Sequence, residues 1–479
     1  MPSRRASPAI LALDLGTSSV RSALFDEKAR RIPGSLTQES YRVRHSAQHA
    51  AELDPRHLLQ AARRCLQATS RLTKGPVPAI AGSCFWHSLL GLDRRGDPLT
   101  PVFTWADARG VEDARRLREI LEERAVQQRT GCMLRASFWP AKLLWLHRTQ
   151  PKLFRCVERW VSPAEWIFEQ LFKVRGCSAS MASGTGLYHL GQRDWDEELL
   201  QVCGLTRAQL GTLDGPTTKR DSVVFPAIGD GAAGNLGSGA VGPGEVALNI
   251  GTSAAVRTIP RTATELPFGL FHFLVDENRS LLGGAISNAG SLRAWAGRTL
   301  RLPATDRELE KVLRQPSNPA SRLTILPFLL TERAPTWPES LDGVFAGVTQ
   351  ATTAADLFRA MTLASYQRLA AILEELEKAV GKARRIVVSG GVLDSPASLQ
   401  LLANTLGRQI EICPEKEASL KGAAVYALEK AGKRAPAVRR GRVVRPRSSA
   451  DNFDRARAAQ ESLECTLEAW TNERREKTD

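Results

Sequence analysis

No run of about 18 apolar residues, the length needed to cross a bilayer as a helix, occurs in this chain of 479 residues. The opening stretch MPSRRASPAILALDLG carries arginines and no long apolar segment, so no secretory leader is expected. The eight cysteines, Cys65 to Cys465, include no C-x-x-C pair. Scattered singly through apolar segments, they read as reduced, buried thiols in a cytoplasmic protein. Zinc-finger spacing and an RNP-type aromatic motif are missing too, so the basic residues have no nucleic-acid-binding frame around them. There is no H-E-x-x-H and no G-x-x-x-x-G-K-[ST], which removes the familiar zinc hydrolases and the P-loop nucleotide enzymes.

What is present suits an ordinary globular enzyme: 43% hydrophobic and 24% charged residues. The length asks for at least two domains. The net charge of +15 suits anionic small substrates. Its densest part, RAPAVRRGRVVRPR near the C-terminus, reads as a solvated or loosely ordered linker. Neither nucleic acid nor a membrane is expected as a partner.

Along the chain, AILALDL reads as a buried strand ending at Gly16, and SVRSALFD as the returning strand of a hairpin. DPRHLLQAARRCLQATSRL has helical periodicity, with Asp54 as N-cap and Pro55 at the first helical position. IAGSCF is a further strand, and VEDARRLREILEERAVQQR and AKLLWLHRTQ read as helices. A glycine-rich stretch then leads to ALNIGTS, a second strand-turn-strand signal. ADLFRAMTLASYQRLAAILEELEKAV predicts a long helix, RRIVVSGG a strand opening into a glycine turn, and KGAAVYALEKAG a compact helix.

Two of these segments repeat each other. Leu13-Asp14-Leu15-Gly16-Thr17-Ser18 corresponds to Leu248-Asn249-Ile250-Gly251-Thr252-Ser253, as if two similarly built domains met near residue 244. A Gly-Thr-Ser turn exposes backbone N–H groups and two hydroxyls; glycine is expected to supply unusual dihedrals and to let an anion close to the backbone. Two such turns on facing domains could hold one polyphosphate. The G-x-G-x-x-G matches at Gly229 to Gly234 and Gly237 to Gly242 lack the acidic residue that a dinucleotide site places about 20 residues on.

Together these segments resemble a known family. LALDLGTSSVRSALFD, ALNIGTSAAV and IVVSGGVLDSP are similar to the two phosphate motifs and the adenosine motif of the sugar kinase, heat-shock protein and actin superfamily. FWHSLLGLDRRGDPLTPVFTWADAR, SGTGLYHLGQRDWDEELL, GDGAAGNLGSGAVGPGEVAL and ERAPTW look like FGGY carbohydrate kinases. The resemblance spans roughly residues 8–430. His87-Ser88 and Thr104-Trp105-Ala106-Asp107, with Arg109, are most similar to the gluconokinase branch.

The resemblance implies an α/β fold of two ribonuclease-H-like, actin-like ATPase domains flanking a nucleotide and sugar cleft. They would occupy residues 1–243 and 244–432, followed by a basic linker and terminal helix to 479. It implies ATP and Mg²⁺, with a sugar or sugar acid as the small-molecule partner, and leaves room for a homodimer. Asp230, in a Gly-Asp-Gly loop, falls at the general-base position. Asp14, beside the first phosphate turn, would face Mg²⁺ through its water shell. Gly16, Thr17, Ser18, Gly251 and Thr252 are assigned to the phosphates. Gly390 and Gly391 are assigned to the adenosine wall, where a side chain would collide with the ligand; Ser389 is either a turn residue or a contact. His87, Trp105, Asp107 and Arg109 form the sugar site, Arg109 pairing either with a sugar-acid carboxylate or with Asp107.

Overall fold

The computed structural model describes residues 9–476, apart from 47–48, 74, 214, 220, 262–264, 316–321 and 448–450. Its first half is built on strands Ile10–Leu15 (β1), Ser19–Phe25 (β2) and Thr37–Ser40 (β3), helix Pro55–Ser70 (α1), and strands Ala79–Cys84 (β4), Thr217–Lys219 (β5), Ser222–Val224 (β6) and Ile228–Gly229 (β7). Helix Asp230–Ser238 (α2) leaves this half. The second half has strands Glu245–Ile250 (β8), Ala254–Thr258 (β9), Phe271–Asp276 (β10) and Arg279–Ile286 (β11), helix Ala354–Val380 (α3), strands Arg385–Ser389 (β12) and Ile410–Ile412 (β13), helix Ala418–Lys430 (α4), strand Val443–Val444 (β14) and helix Asp451–Glu476 (α5).

The first sheet runs β5-β6-β4-β1-β2-β3, with β7 also paired to β4; the second runs β10-β11-β9-β8-β12-β13-β14. Every residue of β1 is buried, as expected of a central strand in a sheet covered on both faces. β1 pairs antiparallel with β2 and parallel with β4, and β8 repeats this with β9 and β12. The short sequence repeat is therefore a repeat of sheet topology. Asp14 lies level with Ser83 in the first sheet, and Asn249 level with Ser389 in the second.

Local signals behave as their chemistry dictates. Asp54 caps α1 by accepting the Arg56 N–H at 2.8 Å, with Pro55 in the first turn. The segment expected as one helix over 111–129 is two, Val111–Ile120 and Glu123–Thr130. Leu121 turns extended, and Glu122 caps the second helix through its carboxylate. A helix-favouring composition continues across the break, so periodicity alone conceals it.

Two further expectations change. α4, late in the second half of the sequence, packs on the first sheet: Leu420 and Ala423 to Leu428 belong to the same buried cluster as Leu13 and Phe85. Its backbone meets that of α2 so closely that a Cβ on Gly422 would stand 1.7 Å from Ala233 O, and one on Gly237 1.8 Å from Ala418 O. The glycines of the 229–242 stretch thus serve helix crossing as well as turns. The basic run is not wholly a loose linker either, because β14 adds an edge strand to β13. Arg440 and Arg385 both reach Glu411, at 3.1 and 2.8 Å, and hold its pKa down at about 2. Six of the eight cysteines are buried as expected, whereas Cys156 and Cys465 are exposed. Among the described residues no helix is long and apolar enough to cross a membrane.

Candidate active site

The two Gly-Thr-Ser turns close differently, with four residues between the paired Leu15 and Val20 and three between the paired Ile250 and Ala254. Gly16 N–H donates to Ser19 O at 3.0 Å and Gly251 N–H to Ser253 O at 2.9 Å, leaving Ser18 and Thr252 exposed at the tips, with Thr17 partly so. Neither Gly16 nor Gly251 takes a positive φ, contrary to the unusual dihedrals expected of them. At Gly16 the constraint is space, since a Cβ would lie 3.1 Å from Ser19 O. Gly390 is different: its φ is +94° and a Cβ would lie 2.4 Å from Ile250 O, so its clash is with the protein's own backbone. Gly391 is exposed, has no positive φ, and a Cβ there would meet nothing within 4 Å. Ser389 accepts the Asn249 side-chain amide at 3.0 Å, a structural partnership at the end of β12.

Asp14 ends β1 buried at 5% exposure. Ser83 Oγ donates to one carboxylate oxygen at 2.6 Å, and the other lies 4.0 Å from Arg21. Burial raises its pKa to about 6, with Ser83 and Arg21 opposing the rise. A desolvated carboxylate whose only cation, Arg21, stands at 4.0 Å among the described residues is a fitting partner for a hydrated divalent ion, which needs only one or two carboxylates from the protein. Among the described residues no group of three or more metal-ligating side chains exists.

Asp230 is the first residue of α2, where the sequence suggested a loop. Gly231 N–H donates to the Asp230 carboxylate at 2.7 Å, and the positive end of the helix lies beneath it. Burial raises its pKa, opposed first by the neighbouring Arg257 guanidinium. The flanking glycines are spatial requirements. A Cβ on Gly229 would stand 1.8 Å from the Trp86 ring, and one on Gly231 2.6 Å from Arg257 Nε. The Asp230 charge adds a smaller upward push to the Asp14 pKa, after burial.

On the other side of Asp230 the wall is aromatic. Trp86 packs on Phe273 with centroids 4.9 Å apart, and His87 on Phe273 and Phe138 at 5.3 and 4.8 Å. His87 holds the left-handed φ of +64°, uncommon for a non-glycine residue. Its Nδ1 pairs with Gly184 O. Burial lowers its pKa to about 3, so the ring is neutral at physiological pH. Trp105 Nε1 donates to Thr17 Oγ1 at 3.4 Å, and its ring carries Arg333 at 4.4 Å, joining the first turn to this wall.

Asp107 and Arg109 stand apart in role. Asp107 accepts the Ala51 N–H at 3.0 Å. Arg109 donates to Asp107 at 2.6 Å and to Glu52 at 2.7 Å, and lies over Trp145 at 4.4 Å. Of the two partners the sequence offered Arg109, the structure shows Asp107. Sequence reasoning passed over Arg257 on β9, although a lone cation in the apolar strand AAVRT was a visible signal. It also gave no role to Arg333, whose segment ERAPTW was noted only for its resemblance.

Models of the N-terminal and C-terminal domains of the FGGY family of carbohydrate kinases match residues 9–225 and 246–430. The chain belongs to this family. The kinase is 28% identical over 463 residues to a gluconokinase of Bacillus subtilis, covering 88% of each chain. It is 29% identical over 439 residues to a xylulose kinase of Streptomyces rubiginosus, covering 88% of this chain and 87% of the relative. Among solved structures, a xylulose kinase and a gluconate kinase from Lactobacillus acidophilus each superpose with a TM-score of 0.86 at 25% identity, covering 97% of this chain and 99% of the other. The two domains are thus those of a sugar kinase, a phosphotransferase with an alcohol group as acceptor. Gluconokinases and xylulose kinases stand at similar identity to it.

Proposed function

We propose that this FGGY kinase transfers the γ-phosphoryl group of ATP to a hydroxyl of a sugar acid, converting gluconate to 6-phosphogluconate. The observation that carries the reading is the placement of Asp230 at the start of α2, with the Trp86 ring and the Arg257 guanidinium packed against its flanking glycines. Asp230 accepts the proton of the attacking hydroxyl; its raised pKa moves it towards the range in which a general base works well. Thr17, Ser18, Gly251 and Thr252 hold the phosphates, with Gly391 open to the nucleoside. Asp14 would hold Mg²⁺ through water, and the ion would neutralise phosphate charge there. Trp105 offers the sugar's C–H faces an apolar edge, backed by the buried Trp86 and Phe273, and closure of the domains excludes water from the transfer.

Gluconate is favoured by the His87-Ser88 and Thr104-Trp105-Ala106-Asp107 pattern. A neutral pentulose is the second reading, supported by the xylulose kinases at equal identity. A coupled ADP-release assay over gluconate, xylulose, ribulose and glycerol tests it. Gluconate should give the highest kcat/KM; a neutral ketose clearly ahead of it would overturn the substrate and leave the phosphoryl transfer standing.

A further inference from the structure

The sugar side of the cleft holds more positive charge than its own carboxylates balance. Arg257 makes no ion pair within 4.0 Å among the described residues, and its Nε is buried without a hydrogen-bond partner. The residue as a whole is half-buried. The guanidinium is pinned between Gly231 and the Trp86 region, beside Asp230. Arg333, 7% exposed, gives Nε to Ser287 Oγ at 3.2 Å and Nη2 to Ile286 O at 3.0 Å, and faces Trp105. Its guanidinium too makes no ion pair within 4.0 Å among the described residues. The nearby Glu332 is committed to the backbone N–H groups of Ser287 and Arg333 and to the Asn288 amide. His87 is neutral. Two guanidiniums therefore face one free carboxylate, Asp230.

Burying a cation without a partner is unfavourable, so such a site is completed by an anionic ligand. The other candidates for that duty are taken. Arg109 is spent on Asp107 and Glu52. Lys142, 1% exposed, gives its ammonium to Ala136 O and Ser137 O. The ATP phosphates have their own contacts in the two turns, whereas Arg257 and Arg333 lie on the aromatic wall with Trp86 and Trp105. A planar guanidinium fork matches a carboxylate, and two of them at one pocket select for it.

Resting on the sugar-acid reading above, we propose that Arg257, with Arg333 beside it, is the receptor for the carboxylate of the sugar acid, and that Arg109 is not. Arg257 would then set specificity for acids over neutral sugars.

The test compares wild type, Arg257→Gln and Arg257→Lys, with gluconate and xylulose as acceptors, glucitol as a neutral ligand of the same chain length, and a thermal melt of each protein. Loss of a charge-assisted contact should lower the gluconate-to-xylulose ratio of kcat/KM on the order of 100-fold in Arg257→Gln. The loss should fall chiefly on the KM for gluconate, with partial recovery in the lysine variant. In calorimetry the wild type should bind gluconate well above glucitol. Equal losses for both acceptors together with a raised KM for ATP would overturn the proposal, because the arginine then serves the phosphates. An unchanged ratio in a folded variant would overturn it as well. Should Arg257→Gln not fold, the lysine variant and the gluconate-over-glucitol preference decide; equal binding of the two overturns it. A wild type that phosphorylates xylulose and ignores every sugar acid defeats the substrate reading itself, and the receptor with it. Wild-type preference for gluconate that survives Arg257→Gln defeats the receptor alone.

Discussion

The two Gly-Thr-Ser hairpins share a strand topology and differ in loop length, four residues against three, and in the polar side chain that ends the first strand. In the first, Asp14 accepts from Ser83 on the neighbouring parallel strand at 2.6 Å. In the second, Asn249 donates to Ser389 on the neighbouring parallel strand at 3.0 Å. Both pairs occupy corresponding registers. One copy keeps a buried negative charge beside its turn and the other has a neutral amide of nearly the same shape. Two carboxylates facing one polyphosphate would repel it, while one is enough to hold a hydrated cation. On the reading proposed above, this asymmetry would let the two turns divide a single nucleotide between them.

The largest effect should come from the residue standing where the two halves join. Asp230→Asn keeps the shape of the α2 start and removes the proton acceptor. General-base catalysis is typically worth roughly 10²–10⁴ in rate, so kcat should fall at least about a hundredfold. ATP affinity, measured by calorimetry, should change little because both hairpins are intact. Near-normal kcat would show that Asp230 serves only the helix terminus.

Asp14→Asn gives the first hairpin the neutral amide of the second, and should lower magnesium-dependent turnover by roughly 10- to 100-fold, the scale of a lost charge-assisted contact. It also has a stability signature. The carboxyl titrates near pH 6 in the folded protein against an ordinary value of 3.8. Between those values the folded chain keeps a proton that the unfolded chain has released, so stability falls as pH rises through that window. Above about pH 6 the loss is complete, at roughly 3 kcal/mol. Without magnesium, the variant should therefore melt higher than wild type at pH 7.5 and alike near pH 4. Identical melting at both values would show that Asp14 carries no burial cost.

The converse change, Asn249→Asp, gives the second hairpin the charge of the first. It should weaken ATP binding about tenfold, the equivalent of about 1.4 kcal/mol of repulsion. Excess magnesium should recover part of the loss, and a titration of ATP with and without the metal measures both.

The smallest effects separate the adjacent glycines after β12. Gly390→Ala places a Cβ against Ile250 O at positive φ and should lower stability by about 1–3 kcal/mol. Gly391→Val meets open space in the protein, so it should leave the melting temperature nearly unchanged and weaken ATP binding several-fold. Equal melting of the two variants would erase the distinction between a glycine kept for the fold and one kept for the ligand.

Much of this molecule is local enough to read along the chain. Apolar runs broken by Gly-Thr-Ser announced both hairpins, Asp54-Pro55 announced α1, and the resemblance of the quoted segments reached the FGGY family and its actin-like architecture. Those signals act over a few residues: turn chemistry, capping and the alternation of strands. The sequence by itself also determined that Asp14 and Asn249 differ, because their identities need no fold to be seen.

Tertiary structure alone decided which charges have partners. Arg109 and Arg257 look alike on paper. Glu52 and Asp107 converge on the first, while the second makes no ion pair within 4.0 Å among the described residues and leaves its buried Nε without a hydrogen-bond partner. The same holds for α4, which is late in the chain yet packs on the first sheet because Gly237 and Gly422 let two helices touch at backbone distance. Ion pairing and helix crossing depend on segments far apart in sequence, and nothing in a local pattern specifies which distant side chain will arrive.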